Sequence, residues 1–250
     1  MHRFYISPEN WNAGALTLAG PEAHHARDVL RMRAGDKLVL FNGEGREITA
    51  EIADLSGDEI RLRKLHDAET LPLQCRIVLG QAIPKGKNME LIMQKAVEIG
   101  AAEIAPIISD RTVVQTDSES AAQKQSKWQQ VAIEAAKQCG QNWLPRVHTP
   151  RKLAELFSMA WEESFELRLI GSLQPDAQHL KRILADYSRE HKHLPRSVLM
   201  LIGPEGDFTP AELSLARRHG CQPITLGPII LRVETAAIYC LSILSYELLI

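Results

Sequence analysis

The spacing of apolar and polar positions changes character once along the chain. Through residue 70 the period is two. Lys37-Leu38-Val39-Leu40-Phe41 and Arg46-Glu47-Ile48-Thr49-Ala50-Glu51-Ile52 are β-prone runs separated by Asn42-Gly43-Glu44-Gly45. An Asn-Gly pair between two such runs predicts a hairpin. Residues 59–65 alternate in the same way and predict another strand with one wet face. Together they predict a small β-barrel-like domain over 1–70, with 67–72 as a linker.

From Arg76 onward, strand-length apolar runs alternate with runs of helical period. Residues 77–82 predict a buried strand. Asn88 is placed to cap a helix carrying Ile92, Met93, Ala96 and Ile99 on one face, with Gly100 at its end. Further strands are predicted at 103–108, 167–170, 198–202 and 224–226. A helix is predicted at 127–139, stopped by Gly140, and a last one at 236–249. Thr209-Pro210-Ala211-Glu212 is a capping box with proline at the first helical position, and Gly220 closes that helix. This alternation predicts an α/β layer on a mostly parallel sheet over 73–250.

Composition narrows the class. The 250 residues include 29 Lys+Arg and 31 Asp+Glu, for a net charge of −2, with 45% hydrophobic and 24% charged content. Such a chain can bury a sizeable core, which excludes disordered and collagen-like classes. The uncharged runs fall short of the roughly 18 apolar residues of a membrane span. The first eight residues lack a long apolar stretch, so no secretory leader is expected and the expected location is the cytoplasm. Four cysteines with no C-x-x-C pair disfavour a zinc ribbon or disulfide scaffold, and no metal is expected. The balanced charge excludes a uniformly basic binder but leaves room for a local basic patch.

Two glycine loops carry the candidate chemistry, one at 201–208 (Leu-Ile-Gly-Pro-Glu-Gly-Asp-Phe) and one at 226–235 (Leu-Gly-Pro-Ile-Ile-Leu-Arg-Val-Glu-Thr). In an open α/β sheet, ligands bind beyond the carboxyl ends of strands, where such loops lie. The alternative is two tight turns before helices. No G-x-G-x-x-G after a strand, no phosphate-binding G-x-x-x-x-G-K-[ST] and no G-x-S-x-G elbow is present. If the stretch around His24-His25 is helical, Arg27 and Arg31 share a face suited to phosphate. The alternative is a solvated face partnered by Asp28. Lys85 and Lys87 flank Gly86 before a helix start, a setting that favours anions, or are two exposed turn lysines. Cys139 is assigned to packing or site lining, and Trp128 to the core.

Several segments together resemble the RsmE family of ribosomal RNA methyltransferases in the SPOUT superfamily, which methylate N3 of a uridine in 16S rRNA. They include Met1-His2-Arg3-Phe4-Tyr5, His24-His25-x-x-x-Val29-Leu30-Arg31-Met32-Arg33-x-Gly35-Asp36 and Lys85-Gly86-Lys87-x-Met89-Glu90-x-Ile92-x-Gln94-Lys95. Glu98-Ile99-Gly100, Ile202-Gly203-Pro204-Glu205-Gly206 and Leu226-Gly227-x-x-Ile230-Leu231-Arg232-x-Glu234-Thr235-Ala236 complete the set. The last two motifs, in this order and spacing, are highly specific. The family commonly has glycine where Asp207 stands and arginine where Ile229 stands.

The resemblance implies a PUA-like β-barrel followed by a SPOUT-type α/β domain with a C-terminal trefoil knot. It also implies a homodimer binding S-adenosylmethionine through the knot loops. Its cofactor residues would be Gly171, Leu201, Ile202, Gly203, Pro204, Glu205 and Gly206, with Leu226, Gly227, Ile230, Leu231 and Arg232 opposite. Arg232 would stabilise the uracil anion left when N3 loses its proton. Glu234 would take that proton or orient Arg232, or solvent would take it; the alternative for Glu234 is a helix N-terminal carboxylate. If this stretch is extended, the two residues share a face. RNA contacts would come from Arg3, His25, Arg27, Arg31, Arg33, Lys85, Lys87 and Arg111, on 16S rRNA or the small ribosomal subunit. Two other readings are a SPOUT enzyme acting at another RNA position and a non-catalytic RNA-binding module.

Overall fold

The computed structural model describes residues 1–112, 118–158 and 165–249. The chain divides into two compact units, one of residues 1–72 with 133–144, the other of 73–132 with 145–250. Residues 133–144, expected in the second domain, therefore belong to the first.

In the first unit, β1 (His2–Tyr5), β2 (Thr17–Leu18), β3 (Lys37–Phe41), β4 (Arg46–Asp54) and β5 (Ile60–Glu69) form one sheet in the order β1-β3-β4-β5-β2. β1 runs parallel to β3 and the other pairs are antiparallel. The ladder ends at β1 and β2, a half-barrel rather than a closed ring. The period-two pattern works as expected: Leu38 and Leu40 of β3 and Ile48, Ala50 and Ile52 of β4 enter one core with Phe4, Leu18 and Ile60. The hairpin between β3 and β4 is built by Asn42, whose Oδ1 accepts from the amides of Glu44 and Arg46 at 2.9 and 3.0 Å. Gly45 is required there, because φ is +90° and a Cβ would lie 2.6 Å from the Thr70 carbonyl oxygen.

The expected linker at 67–72 is a correction. Asp67 and Glu69 still pair with β4, opposite Ile48 and Arg46. Residues 133–144 join this unit through two backbone bonds, Leu144 N to Gly43 O and Gly45 N to Asn142 O. Between β2 and β3, α1 (Gly20–His24) passes into a π turn, His25–Val29.

The second unit alternates strands and helices as predicted. Its first half holds β6 (Arg76–Ala82), α2 (Asn88–Ile99), β7 (Glu103–Ile108), the part of α3 (Ser118–Cys139) before residue 133, β8 (Arg146–Val147), β9 (Arg151–Lys152) and α4 (Leu153–Ser158). The second half holds β10 (Leu167–Gly171), β11 (Gln178–His179), α5 (Leu180–His191), β12 (Ser197–Ile202), α6 (Pro210–Arg218), β13 (Gln222–Thr225) and α7 (Val233–Leu248). The sheet order is β11-β13-β10-β12-β6-β7-β8, with β9 also on β7, and every pairing between the described strands is parallel. Central strands read as continuous apolar runs because both faces are covered. Residues Ile77 to Ala82 and Val198 to Ile202 are all buried. Packing is closest at Gly80, where a Cβ would lie 2.4 Å from Leu201 Cδ2.

Element boundaries depart from expectation where polar residues hide the pattern. α3 begins at Ser118 rather than 127, since its first turns, Ser-Glu-Ser-Ala-Ala-Gln-Lys-Gln, carry little apolar periodicity. α2 is capped at Lys87, not Asn88, whose side chain is engaged elsewhere; Gly100 follows at φ +95° as predicted. Trp128 is buried. Burial pushes the thiols of Cys75, Cys221 and Cys240 up to about 12, with Glu166 adding to the effect at Cys75. Cys139 is exposed, so its expected packing role does not hold. No helix among the described residues is long and apolar enough to cross a membrane.

At one edge of the sheet Glu103 accepts from Arg76 Nε at 2.7 Å and meets His148 Nε2 at 2.6 Å. Burial pushes the Glu103 carboxyl up, but hydrogen bonds from His148 and Arg76 and their charge outweigh it and hold it below its ordinary value. A carboxyl depressed in the folded state stabilises folding above its unfolded value and loses that contribution on acidification. Glu103→Gln should therefore cost about 2 kcal/mol near neutral pH. In urea unfolding, the gap from the wild type should close as pH falls below about 4. A gap independent of pH would contradict this account.

Candidate active site

A parallel sheet directs all its carboxyl ends to one edge. β10, β12 and β13 end there at Gly171, Ile202 and Thr225. The loops that follow them enclose a cavity of about 660 Å³, closed further by Asn88 at the start of α2 and by Val233, Glu234 and Ala236 at the start of α7. This is the size and position of a small-molecule site in an open α/β sheet.

The loop after β12 is held from outside the cavity. Its turn closes with the Asp207 amide donating to the Pro204 carbonyl at 2.9 Å, and Asp207 has φ +62°. Phe208 is buried behind it. Thr209 and Glu212 form the predicted capping box of α6. The buried Glu212 carboxylate also accepts from Ser109 Oγ at 3.2 Å and the Asp110 amide at 3.1 Å, in the loop after β7. From that loop, Arg111 Nη1 donates to the Gly206 carbonyl. A Cβ on Gly203 would lie 3.1 Å from the Phe208 amide nitrogen, so any larger residue there would press on the turn.

The loop after β13 turns through Gly227 at φ +109°. Ile229 and Ile230 are exposed on it, at 74% and 77%. Arg232 is the N-cap of α7, and its carbonyl accepts from the Ala236 amide. Glu234 lies in the first turn of α7, where its Oε2 accepts from Asn88 Nδ2 at 3.1 Å. The expected extended stretch is thus a helix start, and a carboxylate there is favoured by the unpaired amides of the first turn.

Ten of the twelve residues expected to hold a cofactor line this cavity: Gly171, Ile202, Gly203, Pro204, Glu205, Leu226, Gly227, Ile230, Leu231 and Arg232. Leu201 does not. Successive strand side chains point to opposite faces, and Leu201 packs fully buried in the core. Gly206 is turned toward Arg111 instead. Glu234 lines the cavity with Arg232, so both candidate catalytic residues reach one site. Asp207 of the first glycine loop lines the cavity too, and so do Asn88, Leu173 and Gln174, which no motif announces. Their signal was faint, because the loop after Gly171 has no motif and Asn88 reads as a cap.

The basic residues separate into paired and exposed ones. Arg3 is a correction: it bonds Glu47 at 2.7 Å and Asn142 Oδ1 at 2.5 Å and lies over the Phe41 ring, leaving its side chain 13% exposed. It organises its own unit rather than offering a charge. Arg27 donates to the Gly57 carbonyl at 2.6 Å. Arg31 lies beyond the π turn at φ +54°, so the shared helical face with Arg27 does not form. Asp28 pairs with His24 at 2.7 Å, and His25 sits edge-on to Phe4. Arg31 and Arg33 are exposed in the first unit. In the second unit Lys85, Lys87 and Arg111 are exposed, and the Lys85 amide donates to Glu205 Oε1 at 2.8 Å. Among the described residues no group of His, Cys, Asp and Glu is arranged to hold a metal.

Comparison with known proteins agrees with this architecture. A family model described as an RNA methyltransferase domain matches residues 71–245, and one described as an RNA methyltransferase PUA domain matches 18–65. Ribosomal RNA small subunit methyltransferase E of Bacillus subtilis is 30% identical over 253 residues, spanning 99% of this chain and 97% of that protein. The protein of the same name from Synechocystis is 31% identical over 237 residues, 94% of this chain and 74% of its own. Among solved structures, ribosomal RNA small subunit methyltransferase E from Neisseria gonorrhoeae, bound to S-adenosylmethionine, matches with a TM-score of 0.82 and 31% identity over 99% of this chain and 98% of that one. A Legionella pneumophila protein in complex with the same cofactor matches at 0.85 and 35% over 98% and 97%.

The Glu212 carboxylate is the tie between the two loops that shape this turn. Glu212→Ala should lower the unfolding free energy by about 2–3 kcal/mol, through loss of the cap and of the buried partners. A urea midpoint that falls with an unchanged slope would agree with this account. An unchanged midpoint would refute it.

Proposed function

Because the chain belongs to the ribosomal RNA small subunit methyltransferase E family of RNA methyltransferases, we propose that it methylates N3 of a specific uridine in 16S rRNA with S-adenosylmethionine as donor. The observation that carries this reading is the cavity at three parallel strand ends, with Arg232 and Glu234 both on its wall.

The residues present fit that cofactor. Gly203 and Gly227 keep backbone groups accessible, and Ile202, Leu226, Ile230 and Leu231 supply apolar surface for an adenine ring. Glu205 and Asp207 supply negative charge for a ligand carrying positive charge. When bound, the cofactor supplies an electrophilic methyl group on a sulfonium. The chain's own residues then have two tasks, positioning and charge control. Arg232, exposed at the N-cap of α7, stabilises the uracil anion through its carbonyl oxygens. Glu234, held by Asn88, takes the N3 proton. The target base must be unpaired or flipped out to reach them.

In the first unit the exposed Arg31 and Arg33, with His25 and Arg27, bind RNA phosphates, and in the second unit Lys85, Lys87 and Arg111 do so. RNA affinity should therefore weaken steeply with salt. The protein acts in the cytoplasm as a homodimer without a metal, and its C-terminal loops follow the knotted path of the SPOUT superfamily.

The test uses small ribosomal subunits from cells lacking this gene, incubated with the protein and methyl-labelled S-adenosylmethionine, then digested for mass spectrometry. Label recovered as 3-methyluridine at one position is the expected result. Cofactor binding without label would redirect the enzyme to another RNA, and no cofactor binding would overturn the enzyme reading. Arg232→Ala should slow transfer by about 10²-fold or more while leaving cofactor affinity largely intact. If affinity collapses instead, Arg232 is part of the pocket's framework.

A further inference from the structure

Asp207 sits on the cavity wall in the left-handed region of backbone space, at φ +62°. A non-glycine residue there carries a conformational cost, although aspartate tolerates it better than most. Its carboxylate is held firmly. Oδ1 accepts from the Phe208 amide at 2.7 Å, and Oδ2 faces the Leu173 amide at 3.5 Å, in the loop after β10. Both contacts are to backbone, and no lysine, arginine or histidine forms an ion pair with Asp207 among the described residues. The carboxylate is therefore fixed in place by backbone amides alone among the described hydrogen-bond and ion-pair partners. The wall as a whole has the same sign: among the described residues its charged side chains are Glu205, Asp207 and Glu234 against Arg232.

The proposed reaction changes the charge of the bound ligand. Transfer of the methyl group breaks the S–CH3 bond, forms an N–CH3 bond, and returns the electron pair of the broken bond to sulfur. A sulfonium with one positive charge becomes a neutral thioether. The N3 proton leaves with the base, so the atoms and charges balance. A wall of net negative charge interacts with the two sulfur ligands unequally. We propose that Asp207 is the charge-selectivity residue of this site: its fixed carboxylate makes the cavity favour the sulfonium cofactor over the thioether product. It thereby limits occupation of the site by spent cofactor. This inference rests on the cofactor reading above.

The experiment is calorimetric titration of the full chain with three probes. These are S-adenosylmethionine, S-adenosylhomocysteine and sinefungin, which carries a protonated amine in place of the methylsulfonium. The proteins are the wild type, Asp207→Asn and Asp207→Gly. Asparagine keeps the shape and removes the charge; glycine adopts a positive φ freely, so it removes the carboxylate without backbone strain. In both variants the affinity ratio of S-adenosylmethionine to S-adenosylhomocysteine should fall by roughly tenfold. The ratio for sinefungin should fall with it, because that probe shares the charge and not the methyl group. Equal weakening of all three ligands would overturn the proposal, since the carboxylate would then serve a group the ligands share. A ratio that moves only in Asp207→Gly would also overturn it, by assigning the effect to the loop's hold. A wild type that binds none of the probes would sink the cofactor reading itself and the inference with it.

Discussion

The parallel register of the large sheet is the constraint from which the site follows. Once β10, β12 and β13 run in the same direction, their ends at Gly171, Ile202 and Thr225 must emerge on one edge. Loops far apart in sequence are thereby gathered around one volume, with no side chain needed to recruit them. The sheet can be this compact because Gly80 leaves room for Leu201 and Ile107 against β6. Close packing in the core thus fixes where the strand ends lie, and with them the floor of the cavity.

A gathered set of loops is still soft unless something outside the cavity holds it. Here the loop after β7 performs that role. Ser109 and Asp110 bind Glu212, and Arg111 binds the Gly206 carbonyl, so the turn from Gly203 to Phe208 is fastened from its outer side. The ligand-facing side is left to backbone groups, apolar side chains and a few carboxylates. Across the cavity Asn88 holds Glu234 in a similar way, from the start of a different helix.

Much of this was legible in the sequence, for identifiable reasons. The capping box at Thr209 and Glu212, the strand at 103–108 and the β3–β4 hairpin each rest on local chemistry, and local chemistry survives folding. The motif residues at 202–205 and 226–232 reached the cavity because they sit directly on the strand ends. The errors arose where a contact is distant in sequence. Nothing near Arg3 announces Glu47 or Asn142, so a partly buried, paired clamp reads as an available cation. Leu201 precedes the same motif, but strand alternation turns its side chain into the core. Asn88 looked like a cap because its partner Glu234 lies 146 positions away. Asp207 could be read as a departure from a family pattern, but only its backbone angle shows how its carboxylate is fixed.

The cysteines have a consequence of another kind. Three thiols of the second unit are buried and pushed to about 12, whereas Cys139, in the segment that joins the first unit, is exposed. A thiol reagent reacts with thiolate that it can reach. Alkylation of the native protein therefore separates into one prompt event and three that wait for local opening. Cys75 precedes β6, Cys221 precedes β13 and Cys240 lies within α7, so the molecule carries its own clocks at three places in the second unit. Their rates would rank the lifetimes of those elements one by one, without any foreign label.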